Sequence, residues 1–359
     1  MMRNKSLVKF LITVSFFIFS SYSLVFATET IKLTAIDGYP EKSAWVREFI
    51  DFYIPTIDKK LAKTGNYKIK WNKAFGGKIV KPKKVLQGLQ TRAGDIGVVT
   101  TVFHEDKVPL QAIAYRTPFV TSDSALLAKT IDDLKDKFPQ YDQAWKKYKQ
   151  VYLTNLVVID SYQIFLKKPV KSLADLKGLK IAGAGINLRY IKKLGAGAVG
   201  GSLVGYYDRL QKGVVDGAII WPEAAMTFKI NEVAPYMLNV DIGAVNSKAV
   251  TVNEKSWAKL PKEVQDVLAE SAIEYRDHMA QVALDLGKKK LAEFKAKGGT
   301  VIEISESEKA AWVKDIDPIA KEWADKLETQ KIPGHEILTT YMTTMRENGQ
   351  PILRNWQND

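Results

Sequence analysis

Short apolar runs alternate with amphipathic stretches along most of this chain. Ile31 to Ile36, Tyr67 to Trp71 and Asp95 to Thr101 are rich in β-branched or aromatic residues and predict strands, because polar or glycine-containing segments bound each of them. Between the first two, Trp45, Phe49, Phe52 and Tyr53 recur at helical spacing within Ser43 to Lys63. The resulting β-α-β-α-β order predicts a doubly wound α/β unit. A second set of strands is predicted at Val151 to Ile159, Gln163 to Lys167, Leu179 to Ala182 and Ala218 to Trp221. Helical segments are expected between them at Ser172 to Leu176, Asn187 to Leu194 and Tyr206 to Gln211. Strands near Met237 to Ile242 and Ala249 to Val252 then carry the chain back towards the first unit.

A long helix follows. Pro261 suits its first turn, and Val264, Val267, Leu268, Ala272, Tyr275, Met279, Val282 and Leu286 recur every three or four residues up to Gly298 and Gly299. A run of about 36 residues is roughly 54 Å long, more than one lobe needs, so it is expected to brace both. Gly287 is the one place where it would break into two helices. The tail from Ser305 to Asp359 reads as helical and aromatic-rich, packed across the back of the second lobe.

The amino terminus has a different pattern. Arg3, Lys5 and Lys9 precede an apolar run from Phe10 to Phe19, and small residues lie around Val25 and Ala27. This reads as an export signal cleaved near Ala27, with a periplasmic address and a soluble mature chain of about 330 residues, enough for two modest cores. The chain has no cysteine, which excludes disulfides, thiolate metal sites and a lipidated cysteine at that junction. Its formal charge is +13, of which the signal supplies three. The lysines are spread among abundant acids and accompany no aromatic-basic module, so they read as solvated surface and not as a nucleic-acid site.

Little here points to catalysis. The three histidines, His104, His278 and His335, are widely separated and lack metal-ligand spacing. No Gly-x-Ser-x-Gly elbow occurs. Gly195, Gly197 and Gly200 have dinucleotide-loop spacing, but they follow a helical segment, not a strand, and read as a helix end plus a turn. No enzyme activity, cofactor or metal is expected.

Several motifs carry a resemblance. Phe75-Gly76-Gly77-Lys78, Lys84 to Gln90 and Ala93 to Val98 lie in the first unit. Lys171 to Ile181, Leu210 to Gly217 and Asn253 to Pro261 follow in the same order. Together they resemble the DctP-type solute-binding proteins of TRAP transporters across nearly all of the mature chain. The resemblance implies a two-lobed periplasmic-binding-protein fold with a hinge, closing over a ligand and docking on a permease of small and large integral subunits. It divides the chain into residues 28–152 with 243–285 for lobe 1 and residues 153–242 with 286–359 for lobe 2. A monomer is the simplest expectation.

The resemblance fails at its usual carboxylate contacts. The arginine that follows the Gly-Leu-Lys-Ile stretch in the family is here Ala182, a second frequent arginine falls near Gln163, and the family's Asn-Pro is replaced by Trp221-Pro222. The leading expectation is a small organic acid, carboxylate or sulfonate, held by amides at a helix start near Ile186 or Asn187, with Arg189 one turn on. Arg116 is a second candidate cation. Tyr39, Phe75, Phe103 and Tyr162 fall at strand ends or in the loops after them, where α/β sheets bind ligands. The alternative is a cationic, zwitterionic or neutral solute against Trp221 and Tyr162 with Glu223 as counter-charge, or a sensor subunit presenting its ligand to a membrane receptor.

Overall fold

A computed structural model describes residues 28–359. The export signal expected at residues 1–27 lies outside the described residues.

Two sheets organise the molecule. The first contains β1 (Glu29–Ile36), β2 (Tyr67–Ala74), β3 (Ile96–Thr100), β4 (Gln150–Leu156) and β10 (Lys248–Asn253), in the order β2-β1-β3-β10-β4. The second contains β5 (Gln163–Leu166), β6 (Lys180–Gly183), β7 (Gly197–Gly200), β8 (Gly217–Ile220), β9 (Tyr236–Asn239) and β11 (Thr300–Glu303), in the order β11-β9-β5-β8-β6-β7. β1, β2 and β3 run parallel, whereas β10 runs antiparallel to both β3 and β4. In the second sheet β6 is parallel to β7 and β8, and β5 is antiparallel to β8 and β9.

The central strands are mainly apolar because both faces are covered. β3, β5, β8 and β10 are buried throughout. β1 is exposed at its start and buried towards its end, where it meets β3. The helical stretch Ala44 to Thr64 packs Trp45, Phe49, Tyr53, Ile57 and Leu61 into this core, each four residues after the last.

Three connections join the sheets. Residues 157–162 lead from β4 to β5 and residues 240–247 return from β9 to β10, with an antiparallel bridge between Ile159 and Val245. The third is one unbroken helix, Lys262–Ala296. It packs on the first sheet's side, where Tyr275 hydroxyl donates to the Trp45 carbonyl and Arg276 donates to Asp132 (2.8 Å). About five turns on, Phe294 meets Phe165 of the second sheet edge-to-face at 5.4 Å. Gly287 does not break this helix. It passes so close to Asp160 of the hinge that any Cβ would collide with that carboxylate. Two linkers and a brace make a hinged, two-lobed α/β fold.

The local structure differs from the sequence reading in three places. Residues 185–194 form two short 3-10 turns, Gly185–Arg189 and Lys192–Leu194, not one helix, bounded by Gly185 and Gly195 at positive φ. Gly195 ends a helical turn as expected, but Gly197–Gly200 then form the edge strand β7. The tail also extends beyond the second lobe. Trp312 donates to the Tyr190 carbonyl (2.7 Å), whereas Trp323 and Trp356 donate to Pro109 and Pro118 (2.9 and 2.8 Å).

Candidate functional site

Strand direction places the site. β1 and β3 end, and antiparallel β10 begins, at one edge of the first sheet, which brings Tyr39, Thr100, Val102, Phe103, Ser247 and Lys248 together. The matching edge of the second sheet is formed by the ends of β6 and β8 and the start of β5. It presents Ala184, Asn187, Ile219, Trp221 and Tyr162. These two edges face each other across a narrow cavity, completed by Trp45, Tyr115, Ile159, Leu203 and Tyr206.

The lobes meet around this cavity. Tyr190 hydroxyl donates to the Tyr115 carbonyl (2.6 Å), and Gly185 lies against Val102 so closely that a Cβ would come 2.6 Å from Val102 Cγ2. Gly185 also has φ +56°, so both the backbone and the contact call for glycine.

Five sequence candidates line the cavity: Tyr39, Phe103, Tyr162, Asn187 and Trp221. Asn187 accepts from the Ala184 amide through Oδ1 (2.9 Å), while its Nδ2 is buried without a protein partner. That amide is therefore already engaged, and the helix start supplies less than the sequence suggested. Tyr162 and Tyr115 hydroxyls are 3.4 Å apart, and Tyr162 packs edge-to-face on Trp221 at 6.0 Å. Burial pushes the Tyr162 hydroxyl up to about 12, so it remains a neutral hydrogen-bonding group.

The other five do not line it. Arg189 donates to Asp317 and to Glu322 (3.0 Å each), which occupies its guanidinium on the outer face of lobe 2. Arg116 donates to Glu105 (2.7 Å) and to the Ile319 carbonyl (3.2 Å). Gln163 accepts the Val240 and Asp241 amides (2.8 and 3.0 Å) and ties β5 to the returning linker. Phe75 is core, edge-to-face with Phe49 at 5.8 Å. Glu223 is buried behind the wall, accepting from Trp221 Nε1 (3.1 Å) and Thr227 (2.7 Å), so it orients Trp221.

Lys248 was missed by sequence reasoning. It is almost fully buried, and it is the only charged side chain among the described residues lining the cavity. Its ammonium donates to Thr100 Oγ1 (3.1 Å) and lies 4.2 Å from the Trp45 ring centroid and 5.0 Å from that of Tyr39. Burial lowers its pKa, and Asp37 nearby opposes that shift. Asp37, itself fully buried, has its pKa raised chiefly by burial. Its carboxylate accepts from the Tyr39 amide (2.8 Å) and Trp45 Nε1 (2.9 Å), fixing the two rings against which the ammonium rests. The neighbouring Ser247 hydroxyl is buried without a partner and also lines the cavity. The sequence signal was a lysine at the entrance of an apolar strand; its direction became evident only once β10 was seen to run antiparallel to β3.

This arrangement can hold a small anion on one side and an apolar or aromatic body on the other. None of the histidines joins it. His278 stacks on Phe52 (ring centroids 4.0 Å apart) and bonds Glu48 (2.8 Å), His335 bonds Asp325 (2.8 Å), and His104 is buried outside the lining. Among the described residues, no group of three or more His, Asp and Glu side chains is placed to hold a metal, and no helix is long and apolar enough to cross a membrane.

Comparison with known proteins agrees with this architecture. Residues 58–327 match the model of the family described as DctP, bacterial extracellular solute-binding protein, family 7. The C4-dicarboxylate-binding periplasmic protein DctP of Rhodobacter capsulatus is 31% identical over 134 residues, 37% of this chain and 40% of that protein. The monocarboxylate 2-oxoacid-binding periplasmic protein of Nostoc sp. is 24% identical over 278 residues, covering 70% of this chain and 71% of that one. Among solved structures, a TRAP solute-binding protein from Rhodoferax ferrireducens in complex with copurified benzoate superposes with TM-score 0.78 at 18% identity, over 88% of this chain and 98% of that one. The family match spans most of the chain and both sheets, so this protein belongs to the DctP family of extracellular solute-binding proteins and works by binding, not catalysis.

Proposed function

We propose that the protein captures a small organic acid, carboxylate or sulfonate, between its lobes and delivers it to a TRAP permease of small and large integral subunits. Export to the periplasm with cleavage near Ala27 belongs to the same reading. The observation that carries it is Lys248, a buried ammonium facing the cavity beside unpartnered donors on Ser247 and Asn187. Lys248 makes no direct ion pair among the described residues, since Asp37 lies behind the Tyr39 and Trp45 rings, so an acid's carboxylate supplies the contact charge that this costly burial lacks. Charge-assisted hydrogen bonds of this kind contribute about 1.5–3 kcal/mol each. Because the ligand touches both edges, it stabilises the closed form by its differential affinity.

The names of the relatives support an acid, since they include C4-dicarboxylate and 2-oxoacid binders. An amine ligand is less well served. Glu223, its expected counter-charge, already has both oxygens engaged and lies behind Trp221.

Thermal-shift and calorimetric titration of organic acids against amines and betaines tests this function. Stabilisation by acids alone is the expected result; stabilisation by amines alone would overturn it. A permease captured by the ligand-loaded protein, and not by the empty one, is expected from the delivery step.

A further inference from the structure

The charges around the cavity are asymmetric. Lys248 is the single ammonium on the lining, and one side chain behind the lining lies a buried carboxylate on each wall: Asp37 behind Tyr39 and Trp45, Glu223 behind Trp221. Of the nearby arginines, Arg189 is committed to Asp317 and Glu322 and Arg116 to Glu105, while Arg209, near Tyr206 but outside the lining, donates to the Gly200 carbonyl (2.9 Å). Resting on the acid-binding reading above, we infer that this cavity selects monoanions and rejects dianions, with Lys248 as the one charged contact.

The reason is the second charge. A carboxylate on Lys248 finds the ammonium, Thr100 and Ser247 on its own side. The far end of the ligand then reaches Tyr162, Tyr206, Leu203 and Trp221, which provide hydroxyls and apolar surface but no cation. A second carboxylate there would lose its water and gain only neutral donors, with Glu223 behind the indole. Whether Asp37 and Glu223 are ionised or protonated, neither supplies a positive charge. The same wall suits an uncharged ring or short chain carrying one hydroxyl or carbonyl, which the tyrosines and Asn187 Nδ2 can bond.

The test is calorimetric titration of the full mature chain with matched pairs of aliphatic, cyclic and aromatic acids, such as butyrate with succinate and benzoate with isophthalate. Binding of at least one monocarboxylate, with its dicarboxylate partner at least 100-fold weaker, is expected. Leu203→Lys adds a cation to the uncharged wall and should reduce that ratio below tenfold. Dicarboxylates binding within threefold of their partners in the wild-type protein would overturn the inference and leave the acid-binding function standing. No response to any acid, with amines raising Tm, would overturn both.

Discussion

The two walls of the cavity solve different problems. The first-sheet wall concentrates charge: Lys248, the Asp37 carboxylate behind it, and the Trp45 and Tyr39 rings that hold the ammonium between them. The second-sheet wall carries no charged side chain at its surface and works through tyrosine hydroxyls, Asn187 and the Trp221 face. Anchoring and shape are thus divided between lobes. A ligand held by one wall alone forfeits the interactions of the other, which couples affinity to closure.

The largest effect should come from removing the anchor. Lys248→Met is expected to weaken acid binding by about 100-fold or more, since truncating one partner of a buried charge pair costs about 2–5 kcal/mol. Calorimetry checks it, and an intact thermal transition shows that the fold survives. Equal affinity in the variant would make the two walls equivalent and end the comparison.

The hinge between the walls gives a pH signature. Asp160 is half-buried against Gly287 with its enclosed Oδ1 unpartnered, and desolvation raises its pKa from 3.8 to about 7. The folded chain therefore holds a proton between about pH 4 and 7 that the unfolded chain has released, so this group lowers stability as pH rises through that window. Asp160→Asn should remove that slope, with little change near pH 4 and a gain of about 4 kcal/mol at pH 8, read from chemical denaturation. A variant that follows the wild-type curve would show that the carboxylate is not buried at the hinge in solution.

On the uncharged wall, Asn187→Ala should cost one neutral hydrogen bond, about 1 kcal/mol or roughly fivefold in Kd, measured by the same titrations. A loss as large as that of Lys248→Met would shift the anchor to the second lobe. The smallest effect is expected at Arg189. Its partners Asp317 and Glu322 hold it at the surface, so Arg189→Ala should change acid affinity less than twofold.

That contrast between two cations shows what a sequence can and cannot reveal. The fold was largely legible, because strands such as β3 and β8 are short, mainly apolar runs and the periodicity of Lys262–Ala296 survives Gly287. Aromatic residues at strand ends were legible too, since Tyr39, Tyr162 and Trp221 follow from where α/β sheets bind ligands. Arg189 was attractive because it follows a glycine-rich turn, but its partners are 128 and 133 residues away, and spacing gives no sign of them. Lys248 was overlooked for the converse reason. It lies next to a strand in sequence, and only the antiparallel insertion of β10 between β3 and β4 turns it into the cavity.

A crystal structure of the mature protein with its tightest-binding acid tests the central claim most directly. The carboxylate is expected within hydrogen-bond distance of the Lys248 ammonium, with Tyr162, Asn187 and Trp221 around the rest of the molecule. An acid seated on Arg189, or in the cavity with its carboxylate turned away from Lys248, would contradict the account.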